Sequence, residues 1–277
     1  MKKTFTIALC FLLAAATNLS GQYSFDWLQG AGNYSKTSVM STVDSEDNFI
    51  VTGYWQNYEI FTRKYDISGT LIWEAADASG ISGLYEKPNW INSDANNNIL
   101  VVGNIYSFSS STQWDYPNAI IALKYDPSGT LLWKTIIPIT ITITSLNRFN
   151  TSSVVDNLGN LYIGTAINAP EGAVLYKIDP NGNLLFTSTS NENSPRNFSS
   201  MRIKNNKIVL ATGSSTSNVA PVFVYDTSGV LLWAAAAEGY SASDVEVDEN
   251  SNVYVLSSLE NAVSPTSGID MRITKYN

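Results

Sequence analysis

The chain has 277 residues, with 16 Lys and Arg against 24 Asp and Glu, for a formal net charge of −8. It has no histidine and a single cysteine, Cys10. Ser-His-Asp and Cys-His nucleophiles, histidine bases, a disulfide within the chain and nearly all zinc and copper sites are therefore excluded. The acidity works against phosphate backbones and anionic membranes, so nucleic acid is not an expected partner.

In chain order, Lys2 and Lys3 precede an apolar run from Phe5 to Ala16. That run is shorter than the ~20 residues a membrane-spanning helix needs, and small residues follow it. We read residues 1–21 as a signal peptide, with a cut after Ala16 as the other option, and 22–277 as one domain. The expectation is an exported protein, whether secreted, periplasmic or at the cell surface. Cys10 lies in the leader, so the remaining chain is cysteine-free. No second long apolar stretch follows, so no membrane insertion is expected.

An isolated strand pattern comes next, Tyr23-Ser24-Phe25-Asp26-Trp27-Leu28. The first full unit then begins. A strand at Ser38–Val43 leads through the turn Asp44–Asn48 into a second strand at Phe49–Gly53. After a variable loop, Ile60–Tyr65 forms the third strand, Asp66–Gly69 the turn and Thr70–Trp73 the fourth strand. The first turn recurs at Asp94–Asn98, Asp156–Asn160 and Asp248–Asn252, and it shortens to Lys204-Asn205-Asn206-Lys207 in the fourth unit. Asp and Asn suit such turns because their side chains bond nearby amides and tolerate left-handed angles. The second turn recurs with Gly129, Gly182 and Gly229. Each unit closes on a large aromatic, namely Trp73, Trp133, Phe186 and Trp233, which we expect to wedge between neighbouring sheets.

Five such sets begin near positions 38, 90, 150, 199 and 243, the last without a fourth strand. A repeat of about 50 residues made of strands and tight turns denotes a circular array of small sheets. We therefore expect an all-β, five-bladed β-propeller of four-stranded antiparallel blades, the N-terminal strand completing the last blade and closing the ring. A piece of a longer array is the alternative.

The pattern Asp-x-x-x-Asn-x-x-Val-x-Gly, a loop, then Lys-Tyr-Asp-x-Ser-Gly-x-Leu-x-Trp, carried best by Asp44–Trp73 and Asp94–Trp133, resembles the bacterial β-propeller repeat family labelled SBBP. The resemblance implies a propeller fold and a secreted or surface-exposed protein, and it brings no shared catalytic residues. The Asp66, Gly69, Trp73 spacing is also similar to the tryptophan-docking motif of quinone-dependent propellers, one residue short. That supports docking of the tryptophans and implies no quinone, and no cofactor is expected.

Function is expected on the end of the propeller that carries the long, dissimilar connections between second and third strands and between units. Aromatics gather there: Tyr54, Trp55 and Tyr58 in the first such loop, Tyr85 and Trp90 between units, and Tyr106, Trp114 and Tyr116 in the insertion from Ile105 to Asn118. Beside amides and carboxylates these rings suit a glycan or a protein partner, and Trp55, Tyr58, Trp90, Trp114 and Tyr116 are the candidate binding residues. We expect a monomeric, non-enzymatic binding module. The alternative is a carboxylate-based glycoside hydrolase or polysaccharide lyase drawing on Glu59, Asp115, Glu171, Glu192 or Glu238. The Asp-x-x-x-Asn turns are too poor in carboxylates for calcium loops, so no metal ligands are assigned.

Overall fold

The computed structural model describes residues 36–55, 59–109, 114–139, 150–167, 172–190, 197–213, 219–239, 241–260 and 269–277. The described residues contain strands and turns and no helix. Unit one comprises β1 (Lys36–Val43), β2 (Phe49–Trp55), β3 (Ile60–Tyr65) and β4 (Leu71–Asp77). Unit two comprises β5 (Leu84–Ser93), β6 (Ile99–Ser109), β7 (Trp114–Tyr125) and β8 (Leu131–Pro138). Unit three comprises β9 (Thr151–Val155), β10 (Leu161–Ile167), β11 (Gly172–Ile178) and β12 (Leu184–Thr189). Each is a separate four-stranded antiparallel meander.

The remaining strands are β13 (Asn197–Lys204), β14 (Lys207–Gly213), β15 (Val219–Asp226), β16 (Leu231–Glu238), β17 (Ser241–Val247), β18 (Val253–Glu260) and β19 (Ile269–Tyr276). They form one seven-stranded sheet. It consists of a fourth meander, β13–β16, and a three-stranded fifth, β17–β19, joined through the single pairing of Gly213 with Ser241. The first strands of successive units lie side by side, β1 on β5, β5 on β9, β9 on β13 and β13 on β17, so the described residues trace an arc with these strands innermost. The segment Tyr23–Leu28, expected to complete the fifth sheet, lies outside the described residues.

Strand alternation explains the packing. In units two, three and four the second and third strands are apolar on both faces, because each of these units lies between two neighbours. Ile50 and Ile60 of unit one are buried against Ile99, Val101, Ile121 and Leu123 of unit two. The opposite face of unit two, with Leu100, Val102, Ile120 and Ala122, packs on Leu161, Ile163 and Val174 of unit three. The outermost fourth strands alternate between exposed and half-buried positions.

The closing aromatics reach forward to the next unit. The Trp73 indole N–H donates to the carbonyl of Pro127 at 3.0 Å, and that of Trp133 donates to Pro180 at 2.9 Å. Gly129 and Gly182, each with φ of +89°, lie flat under these rings, and a Cβ on them would come within 2.7 and 2.8 Å of Trp73 and Trp133. Phe186 covers Gly229 in the same way. Trp233 instead meets Tyr276, ring to ring at 5.5 Å.

The first turns have a buried counterpart that residue spacing did not suggest. The Lys64 ammonium sits 2.7 Å from the Asp44 carboxylate, and that of Lys124 sits 3.0 Å from Asp94, with all four side chains almost wholly enclosed. Burial alone would push the Asp44 carboxyl up. The Lys64 ammonium, the Asn48 amide and the backbone N–H groups of Asn48 and Glu46 outweigh it and hold Asp44 below the usual carboxylate range.

Candidate functional site

The connections between second and third strands, and between units, emerge at the end of the arc where the first strands begin. A cavity of about 460 Å³ opens there, at the mouth of the space the innermost strands enclose. It draws Tyr54 from the end of β2, Lys87–Trp90 from β5, Tyr106 from β6, Asn150–Ser152 from the start of β9, and Phe198 with Ser199 from the start of β13. Four units thus contribute.

Local irregularity aims several of these groups. In β5 the pairing slips between Pro88 and Trp90, leaving Asn89 unopposed, and in β13 it slips between Phe198 and Ser200, leaving Ser199 unopposed. Such bulges bend a strand and re-aim side chains. Both extra residues line the cavity. Gly103 makes room for the first bulge, since a Cβ there would come within 2.5 Å of the Lys87 carbonyl oxygen.

One wall is aromatic. Tyr85 and Tyr106 stack with centroids 5.6 Å apart. The Lys87 ammonium lies 5.2, 5.6 and 5.9 Å from the rings of Tyr85, Tyr106 and Tyr54, which is cation–π range. The Asn104 amide donates to the Tyr106 hydroxyl at 3.2 Å and anchors that ring. Asn89, Asn150, Thr151 and Ser152 make part of the lining polar, and Ser152 Oγ is buried without a hydrogen-bond partner. A buried hydroxyl left open is costly unless a water or ligand atom fills the place.

Of the expected binding residues, Trp90 belongs to this site. It is not in a loop. It stands in innermost strand β5, half-buried on the core between units two and three, and lines the cavity. Trp55 ends β2 half-buried and is not among the lining groups. Trp114 and Tyr116 belong to β7, so the expected insertion is largely a lengthened β6–β7 hairpin. Their side chains, and all of Tyr58, lie outside the described residues. Lys87, Asn89, Asn150 and Phe198 went unrecognised, because they converge from three units and no local pattern marks them.

Among the described residues, the lining contains no carboxylate. Of the acids considered for catalysis, Glu238 pairs with Arg272 at 3.1 Å on the surface. Glu59 precedes β3 and is half-buried. Glu171, Glu192 and the Asp115 side chain lie outside the described residues. Among the described residues no group of three metal-ligating side chains converges, and no helix is long and apolar enough to cross a membrane.

No protein-family model matches the chain, and no curated protein does. Solved structures do. The Dos1 propeller matches at a TM-score of 0.55 and 12% identity, over 84% of this chain and 56% of its own. Hydrazine synthase from Kuenenia stuttgartiensis matches at 0.53 and 10%, over 90% of this chain and 66% of its own. A variant of the NanB sialidase from Streptococcus pneumoniae matches at 0.53 and 10%, over 91% of this chain and 60% of its own. The chain thus spans between about half and two thirds of these neighbours, and at such identities the likeness is one of fold: the chain is built as β-propeller proteins are.

Proposed function

We propose that this chain is an exported propeller module of SBBP-type repeats, residues 22–277 following a signal peptide, that binds a glycan or protein partner at the mouth of the innermost strands without turning it over. A glycan is the favoured class. The carrying observation is the cavity itself, lined by the aromatic rings of Tyr54, Trp90, Tyr106 and Phe198, by the amides of Asn89 and Asn150, and by Ser152 with its unpartnered Oγ. Rings stack on the apolar faces of sugars while amides and hydroxyls bond their hydroxyls. The volume falls within the ~300–1,000 Å³ typical of small-ligand sites.

A glycan array followed by calorimetry on the best binder tests this. Replacing Tyr106 with Ala removes the stacked wall and weakens binding by about tenfold or more, the loss expected of a central aromatic contact. Release of reducing ends from the bound polysaccharide would overturn the non-enzymatic reading and favour the hydrolase or lyase alternative.

The same proposal includes ring closure. Tyr23–Leu28 adds the fourth strand to the fifth unit alongside β19, and Trp27 covers the Ile67–Gly69 turn as Trp73 covers Pro127–Gly129. Support comes from the repeat itself, since Gly69 has the same left-handed turn geometry, φ +80°, as the covered glycines.

A further inference from the structure

A second cavity lies at the opposite end of the arc, among the short turns, between units three and four. It measures about 470 Å³ and includes Asp156, Asn157, Tyr162, Lys177, Lys204 and Asn205 in its lining. Differences between the units explain it. In units one and two the third-strand lysine stands opposite an aliphatic residue, Lys64 opposite Ile50 and Lys124 opposite Leu100, and reaches the turn aspartate directly. Unit three keeps both partners, Asp156 and Lys177, but Lys177 stands opposite Tyr162.

The Tyr162 hydroxyl takes the place of the ammonium. It donates to Asp156 Oδ2 at 3.1 Å, and its ring lies 5.0 Å from Lys177 Nζ. The other donors to Asp156 are the backbone N–H groups of Leu158 and Asn160, both at 2.9 Å, and the Asn160 amide at 2.8 Å, so the carboxylate is satisfied without a cation. Lys177 is left donating to the Thr227 carbonyl at 3.0 Å and makes no ion pair among the described residues. An ammonium has three donors, and a half-buried cation seeks a counter-charge.

Unit four opens the space beside it. Its first turn is shortened to Asn205-Asn206, both with positive φ (50° and 60°), so the wall that an Asp-x-x-x-Asn turn would supply is missing. Lys204, at the place of the lost aspartate, adds a second cation. Its partner Glu249 is 84% exposed, and such a surface pair is weak enough to yield. Unit five provides the control. Tyr254 likewise bonds Asp248 and lies under Lys275, yet Lys275 is exposed rather than half-buried.

We propose that this cavity is an anion site that takes a phosphate or sulfate group on Lys177 and Lys204, with the Asn157 amide at its rim. Calorimetric titration of the full chain with sodium phosphate, sodium sulfate and glucose 6-phosphate, at fixed ionic strength, tests it. The unaltered chain shows saturable one-to-one binding. Lys177→Met weakens it at least about tenfold, as expected for loss of a half-buried charge partner, while Lys275→Met leaves it unchanged. Tyr162→Leu recreates the unit-two arrangement, lets Lys177 fall onto Asp156 and abolishes binding with the net charge untouched.

Tighter binding of glucose 6-phosphate than of the free ions identifies a sugar-borne group, and equal binding identifies the free ion. If Lys177→Met fails to fold, Lys204→Gln at the cavity edge carries the test with a several-fold loss. Absence of saturable binding, or equal losses in Lys177→Met and Lys275→Met, would overturn the proposal.

Discussion

Lys124 and Asp94, like Lys64 and Asp44, are a case in which removing one partner and removing both have opposite logic. A lone buried charge keeps its desolvation penalty with nothing to offset it, at a cost of about 3–5 kcal/mol, whereas joint replacement by neutral groups is often tolerated. Unit four has made the joint change, with Val224 at the lysine position and the acid gone from its turn. Lys124→Val alone is therefore expected to cost about 3–5 kcal/mol in urea unfolding, and Lys124→Val with Asp94→Asn markedly less. A double-mutant cycle measures the difference.

The same carboxylates set the acid limit of the fold. Asp44 and Asp94 are buried, which alone would raise them, but the lysines and turn amides hold both below their ordinary range, and hydrogen bonds from Ser128 and the Thr130 backbone lower Asp126 similarly. A group lowered on folding contributes stability above its unfolded value near ~3.9 and loses that contribution as pH falls through the folded one. With no histidine in the chain, stability should stay flat from about pH 8 to 5 and fall only below about pH 4, as thermal melts across pH would show. A midpoint for stability loss near pH 6 would contradict this assignment.

At the level of the element, the unit of construction is the forward latch, an indole lying over a left-handed glycine of the next sheet. Gly129→Ala meets two penalties, a backbone angle costing about 1–2 kcal/mol to an L-residue and a Cβ driven into the Trp73 ring. We expect a loss clearly above about 2 kcal/mol in stability to urea, against about 1–2 kcal/mol for Gly80→Ala, where φ is +77° but space is open and the backbone angle alone is strained. Trp133→Phe should cost less than Trp133→Ala, because Phe186 already fills the equivalent place and gives up only the N–H bond to a carbonyl.

These elements were legible in advance because each depends on residues close in sequence. Asp, Asn and Gly mark turns through local angles, and strand alternation marks the faces. The buried lysine–aspartate pairs were not read, although their joint absence from unit four was the available signal. Trp90 was placed in a connection because apolar patterning does not show where an innermost strand starts. The hairpin of β6 and β7 passed for a loop because polar Ser and Asp residues occupy paired positions in it.

Across the whole molecule, the described arc has five units in four sheets, and the proposed ring needs the segment before Lys36 to complete the fifth unit. Deleting residues 22–30 should lower the melting temperature by several degrees and expose the edge of β19, whereas Trp27→Ala should reproduce most of that loss with the strand retained. Equal stability of the deleted chain, followed by thermal unfolding, would refute closure by this strand.

Because every aromatic cover points toward the C-terminus, the two ends of the molecule tolerate trimming differently. A chain shortened from its front loses a cover and the stability that cover supplies, but the small glycine turn left facing water adds no large apolar surface. A chain shortened from its back strips the seat from beneath an indole: loss of Tyr276, the penultimate residue, already bares one ring face of Trp233. Fragments ending early should therefore be the sticky ones in the cell, and proteolytic clearance of incomplete chains would find its handle at the newest end.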